Sequence, residues 1–346
     1  MRSIAGGPRA WLNRYLGRKG GLVQHRQLGG SELSSSQIAF GAMALTGIYG
    51  SIGEKEAFAT LARVRELGIN HIDTAEVYGS GDNERMVGRA IADYRDEVLL
   101  ATKFNFRQYG GGERSWGEIV RGSIEGSLAR LGVEYVDLWY LHRVPVDRPI
   151  EETWEPMAQA VRDGLVRYLG LSEASAQTIR RAHAVHPITA VQSEWSLLTR
   201  EVETEILPTV RELGISFVAY SPLSRGLLGG RIRRSEDLDL TDWRRNVPRF
   251  QGAALDANLA IVSRLAEFAE AKGITLAQLA LAWLSAQGDE VIPLVGARRA
   301  EHVLDSAGAA AVTLTADELT ALDVIAPRGA ASGERYPADY MPGLGR

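Results

Sequence analysis

The chain has 346 residues, 45% hydrophobic and 24% charged, enough for one large core or two ordinary domains. A formal net charge of −4 leaves no electrostatic footprint for nucleic acid or an anionic membrane, and no apolar run reaches the roughly 18 residues of a membrane-spanning helix. With no cysteine, disulfides, a thiol nucleophile and cysteine-ligated zinc or iron–sulfur clusters are excluded, and the expected location is the cytoplasm.

Residues 1–24 carry Arg2, Arg9, Arg14, Arg18 and Lys19, whereas the first acidic residue is Glu32. This basic extension lacks the apolar core of a secretory signal and is too poor in serine for a transit peptide. "HRQLGGSELSSSQ" (25–37) reads as a hairpin. Short apolar runs then recur at 38–43, 69–75, 98–104, 135–143, 166–173, 188–196, 216–223 and 291–298. Amphipathic helical patterns such as "EKEAFATLARVRELG" and "IEETWEPMAQAVRDG" separate them, and several stop on glycine, as at "RELGI" 65–69 and 211–215. Strand then helix, eight times over, predicts a (β/α)8 barrel over residues 25–325 with the hairpin at its bottom. The connection at 224–257, after the seventh run, is long enough to be a lid or cofactor clamp. The tail at 326–346 is rich in Gly and Pro and reads as a surface wrap or as disordered.

A barrel of this kind builds its site from strand C-termini and the loops beyond them. Those ends carry Asp73 and Tyr78 after the second run, Lys103 near the end of the third and His142 at the end of the fourth. A free phenol, with a pKa of about 10, is a reluctant donor, and a neighbouring ammonium favours the phenolate. Lys103 would supply that charge, Asp73 would keep it protonated and oriented, and His142 would hydrogen-bond a substrate oxygen. The set is a general-acid device worth about 10² to 10⁴ in rate. Glu76, between Asp73 and Tyr78, has no role in it and reads as a solvent or loop residue.

"IDTAEVYG", "ATKF", "YLHR", "GLSE" and "AYSPLSRGLL" together resemble the aldo-keto reductase superfamily, in the right order over residues 25 to 325. The resemblance implies a barrel that binds NADPH in extended form, hydride transfer between nicotinamide and a carbonyl carbon, and Tyr78 as proton donor beside Asp73, Lys103 and His142. It also implies cofactor contacts. Gly41, Ala42, Met43 and Asp73 fall at the first two strand ends, and Ser172, Glu173 and Gln192 near the nicotinamide carboxamide. Tyr220 matches the stacking aromatic, with Ser221, Leu223, Ser224 and Gly226 along the pyrophosphate and Pro222 and Arg231 as further cofactor-binding positions. Gly296, Ala297, Arg298, His302, Asp305 and Ser306 lie at the adenosine end, where a guanidinium suits a 2′-phosphate and favours NADPH over NADH. The sequence departs from the family pattern at Glu173, where Asn is common, at Val295, where Pro is common, and at Asp305-Ser306, where Glu-Asn is common.

The expected substrate is a small carbonyl compound, aromatic or bulky, in a pocket drawn from Met43, Tyr49, Phe104, Phe106, Arg143 and the 224–257 loop, where Trp243 also lies. Two other readings stay open: a cofactor-binding redox-sensing module resembling ion-channel auxiliary subunits, and a Schiff-base aldolase acting through Lys103. His183 and His186 share a helix end but lack a third metal ligand. Oligomeric state has no signal in the sequence.

Overall fold

The computed structural model describes residues 23–109 and 115–345. The basic extension expected at 1–24 therefore lies, apart from its last two residues, outside the described residues; Val23 is buried and Gln24 O accepts from Gln37 N at 2.8 Å. The strands are β1 (His25–Gln27), β2 (Ser34–Ser36), β3 (Ala39–Gly41), β4 (His71–Asp73), β5 (Leu99–Phe104), β6 (Val136–Leu141), β7 (Val166–Ser172), β8 (Ile188–Glu194), β9 (Ser216–Tyr220) and β10 (Val291–Val295). The helices are α1 (Glu54–Glu66), α2 (Asp82–Ile91), α3 (Trp116–Leu131), α4 (Ile150–Arg162), α5 (Ala176–Val185), α6 (Ile206–Glu212), α7 (Gly252–Lys272), α8 (Leu276–Ser285), α9 (Ala300–Ala307) and α10 (Ala316–Ile325).

Strands β3 to β10 pair in parallel and close on themselves, β10 beside β3, giving the predicted eight-stranded barrel. Each of the eight apolar runs became a strand because a barrel wall is covered on both faces, so β5, β6, β8 and β10 are buried at every residue. Alternate side chains feed two cores. Ala39, Leu99, Ala101, Leu138, Ala190 and Val218 fill the interior, and a larger apolar layer lies between the wall and the helices. Tyr140 projects its ring across Gly170 on the neighbouring β7, where an added Cβ would lie 2.3 Å from a ring carbon.

The β1–β2 hairpin is antiparallel and closes the N-terminal end of the barrel, with Leu28 and Leu33 joining the interior core. Its turn holds Gly29 at φ +54°, N–H donating to Ser216 Oγ at 2.7 Å; a side chain there would meet Thr189 O at 2.4 Å. Two helices have no counterpart in the predicted elements. α8, "LAQLALAWLS", is buried along almost its whole length, so it lacks the one-sided apolar stripe that marks a surface helix. α10 begins in a Thr315–Glu318 capping box. The expected loop to 257 ends sooner, because α7 starts at Gly252; short 3₁₀ turns at 224–229, 235–237, 243–246 and 248–250 occupy the rest. Among the described residues no helix is long and apolar enough to cross a membrane.

Candidate active site

Asp73 ends β4, Lys103 is the penultimate residue of β5, and His142 immediately follows β6. The parallel ladder continues past β4, with Thr74 N donating to Ala101 O at 2.9 Å, before the chain turns and Tyr78 N bonds Ala75 O at 3.0 Å. Thr74 Oγ1 donates to Asn83 Oδ1 at 2.7 Å and Asn83 Nδ2 to Ala42 O at 2.9 Å, so this turn is braced against the loop after β3. These constraints bring the four predicted side chains together. The Lys103 ammonium donates to Asp73 Oδ1 and to Thr74 O at 2.7 Å, and lies 3.5 Å from the Tyr78 hydroxyl. Gln192 Nε2 holds the other Asp73 oxygen at 3.0 Å. The His142 ring meets the Tyr78 ring edge-on, centroids 5.9 Å apart.

Asp73, Lys103 and His142 are buried and Tyr78 is half-buried, and desolvation dominates their chemistry. It raises the Asp73 carboxyl and lowers the Lys103 ammonium, each shift opposed by the partner's charge. Burial, reinforced by the charges of Arg143 and Lys103, pushes His142 well below the ordinary imidazole value, so its ring is neutral at pH 7. The Tyr78 phenol is raised by burial and then by the Asp73 charge. The expectation that Lys103 brings the phenol down is not met: desolvation and the Asp73 charge outweigh the lowering effect of Arg143, and Tyr78 rests as a protonated acid.

Glu76 is not a solvent residue. Its carboxylate is buried and accepts from Asn105 N at 2.6 Å, Tyr109 OH at 2.8 Å and Ser123 Oγ at 2.8 Å, with Arg130 Nη2 at 3.9 Å. It pins the turn beyond β5 to α3, and Arg130 continues the brace to buried Glu84 at 2.6 Å. Phe104 also departs from expectation: one residue past Lys103, it points out of the barrel into a cluster with Tyr109, Trp116 and Trp139, ring centroids each 5.9 Å away. Phe106 stands against Trp116 at 6.3 Å. His183, at the far end of the barrel, accepts from Ile188 N at 3.1 Å through Nδ1.

The expected cofactor positions line one side of the mouth. Ser172 and Gln192 are register partners across β7 and β8, Gly41 ends β3 and Ala42 directly follows it. Beyond β9, Ser221, Ser224 and Arg225 take left-handed φ values of 51°, 47° and 54°, and Glu173 does so at 54°, each a strained conformation for a residue with a Cβ. The Ser224 hydroxyl is fixed on Ser196 at 2.8 Å. At the far end, Arg298 and Arg231 have no ion pair among the described residues, and both their charges act on His302, whose imidazole is lowered chiefly by burial. Those groups fit a phosphate. Asp305 is already engaged, accepting from Thr275 Oγ1 and Gln278 Nε2 at 3.0 Å each. Met43 and Tyr49 lie half-buried beside this mouth, the Arg244 guanidinium 4.8 Å from the Tyr49 ring centroid.

The tail is neither a loose wrap nor disordered across its described part. Arg335 grips Glu173 with both nitrogens, at 3.0 and 2.6 Å, and the Tyr336 hydroxyl lies 3.0 Å from that of Tyr220. Tyr220 in turn donates to Glu173 Oε1 at 2.8 Å. Arg225 bonds Glu194 Oε2 at 2.6 Å and Arg335 O at 3.1 Å, with its guanidinium 4.1 Å from the Tyr336 ring centroid. Trp243 packs edge-on against Tyr336 and Tyr340. Loop and tail thus meet over the strand ends. Burial alone would raise the Glu173 carboxyl, and the Arg335 guanidinium more than offsets this, holding it below the usual carboxylate range. Arg225 stood inside "AYSPLSRGLL" and Glu194 inside the 188–196 run without an assigned role, and for Arg335 and Tyr336 the only sequence signal was the run of Arg and aromatic residues in a Gly-rich tail. A separate cavity of about 800 Å³, lined by Leu45, Ile52, Arg85, Met86 and Arg89, lies away from these groups.

Comparison with known proteins finds likeness over most of the chain. The sequence model described as the Aldo/keto reductase family matches residues 37–327. The Glycine max protein "Probable aldo-keto reductase 1" is 42% identical over 319 residues, spanning 91% of this chain and 92% of its own length. The structure of a glycerol dehydrogenase from Gluconobacter oxydans is similar with a TM-score of 0.79 at 32% identity, covering 87% of this chain and 94% of that one.

Proposed function

The chain belongs to the aldo/keto reductase family, and from that premise we propose that this oxidoreductase uses NADPH to reduce an aldehyde or ketone to the alcohol, reversibly, with Tyr78 as the proton donor. The observation that carries the reading is the position of Lys103 Nζ, bonded to Asp73 and 3.5 Å from the Tyr78 hydroxyl, with Gln192 fixing the second Asp73 oxygen. A nicotinamide cofactor, when bound, supplies the hydride. Ser172, Gln192 and Tyr220 would hold its ring, Ser221 to Gly226 its pyrophosphate, and Arg231, Arg298 and His302 its 2′-phosphate; the unpaired guanidinium groups favour NADPH over NADH.

Tyr78, protonated at rest, gives its proton to the carbonyl oxygen as negative charge develops there. The Lys103 ammonium then lies beside the phenolate so formed, and Asp73 keeps that ammonium oriented. Neutral His142 donates or accepts a hydrogen bond at the same oxygen. The Schiff-base alternative is weaker because the Lys103 nitrogen is committed to Asp73 and Thr74 O at 2.7 Å and has no exposure.

Tyr78→Phe is expected to lower turnover by about 10² to 10⁴ while NADPH binding, followed by cofactor fluorescence, stays close to the parent's. Carbonyl reduction at the parent rate would overturn the mechanism. Tight NADPH retention with negligible turnover of the parent across a broad carbonyl panel would favour the redox-sensing module instead.

A further inference from the structure

Next to the catalytic four, positive and negative groups pair off with one left over, apart from Arg231 and Arg298, unpaired among the described residues and already assigned to the cofactor end. Lys103 takes Asp73, Arg335 takes Glu173 at 2.6 Å, and Arg225 takes Glu194 at 2.6 Å, with Arg249 a further 3.8 Å from Glu194. Arg143 has no ion pair among the described residues. Its one hydrogen bond runs from Nη1 to the carbonyl oxygen of His142 at 2.6 Å, leaving most of the guanidinium fork unused. It directly follows His142, whose ring meets Tyr78. Around it stand Tyr78, Tyr220, Tyr336 and Glu173, and both Glu173 oxygens are already taken by Arg335, Tyr220 and Glu194 N. Arg143 is half-buried, and a partly desolvated cation without a counterion is costly unless a ligand supplies one.

The proposed cofactor does not account for it. Its phosphates fall to the segment after β9 and the residues after β10, whereas Arg143 follows β6, with β7 and β8 between β6 and β9. A guanidinium fork matches a carboxylate or phosphate in geometry as well as charge, and the surrounding phenols suit an apolar or aromatic body.

Resting on the carbonyl-reductase reading, we infer that Arg143 is a specificity-determining residue that binds an anionic group on the substrate, so that the preferred aldehydes or ketones carry a carboxylate or a phosphate beyond the reacting carbonyl.

The test uses the full chain with NADPH and two matched pairs, 4-carboxybenzaldehyde against benzaldehyde and glyceraldehyde 3-phosphate against glyceraldehyde. The parent is expected to favour the charged member of at least one pair in kcat/KM by about 10- to 100-fold, chiefly through KM. The pair that responds separates carboxylate from phosphate recognition. Arg143→Met should collapse that charged-to-neutral ratio towards one, and Arg143→Lys, which keeps the charge without the fork, should restore part of it. No preference in the parent for either pair, or equal losses on charged and neutral members in the variants, would overturn the proposal and leave the carbonyl-reductase reading intact. Binding of benzoate and benzamide to the NADPH-loaded protein, read by tryptophan fluorescence, gives a measure free of turnover. Benzoate should bind more tightly by a similar factor and lose that advantage in Arg143→Met; equal binding of the two in the parent would overturn the assignment even if every aldehyde were inert.

Discussion

The two ends of the barrel are closed by different means. At the N-terminal end the β1–β2 hairpin inserts Leu28 and Leu33 into the interior core, so the closure is apolar and continuous with the fold. At the C-terminal end the 224–250 loop and the 333–345 segment are joined by Arg335 to Glu173, Arg225 to Glu194 and a Tyr220–Tyr336 hydroxyl pair. Apolar burial is non-directional and serves stability. Directional charged pairs cost desolvation and return little net stability against an apolar substitute, yet they fix where each partner sits. The bottom is built to stay shut; the top is built to hold specific groups in place.

Breaking each closure should therefore give different signatures. The largest effect is expected from Arg335→Met, which strands the Glu173 carboxylate in a buried setting; loss of one partner of such a pair costs about 3–5 kcal/mol. That loss should fall on docking of the tail, seen as faster proteolysis and hydrogen exchange within 326–345, while the barrel's own melting changes little. Leu28→Ala is expected to lower global stability by about 2–4 kcal/mol in chemical denaturation, with kcat/KM for a carbonyl substrate unchanged. If Leu28→Ala changed kinetics and Arg335→Met changed only global stability, the contrast between the ends would be wrong.

The smallest effect is a pH dependence confined to the top. The Glu173 carboxyl sits below its ordinary value of 4.5. A carboxyl depressed in the folded state contributes stability that is fully present above the unfolded value and is lost as pH falls through the folded one. Tail protection against proteolysis by an acid-active protease should thus hold from pH 7 to about pH 5 and decline below pH 4.5. Protection that weakened on raising the pH from 5 to 7 would contradict the assignment.

The barrel and the catalytic four were legible because both are written locally. Strand and helix patterns alternate within about 30–40 residues, and Asp73, Tyr78, Lys103 and His142 stand at run ends whose place in a barrel follows from the alternation itself. What was not legible depends on partners far along the chain. Glu76 is read as a loop residue until Asn105, Tyr109 and Ser123 close on it from 29, 33 and 47 residues away. The partner of Glu173 lies 162 residues on, in a segment whose composition points to a loose tail. Phe104 follows Lys103 directly, and only the pleat of β5, which sends neighbours to opposite faces, removes it from the pocket. The Tyr78 environment was misjudged in sign because a sequence names the neighbouring charge but not the extent of burial.

The crossing of Tyr140 over Gly170 constrains how this barrel can diverge. An alanine at 170 has no room while the ring is present, since the new methyl would fall 2.3 Å from it. Descent from this sequence can therefore enlarge position 170 only after position 140 has become small, and the reverse order passes through a poorly folding intermediate. The two positions form a one-way gate in sequence space, buried beneath the reaction centre, with the Tyr140 ring centroid 6.0 Å from Lys103 Nζ.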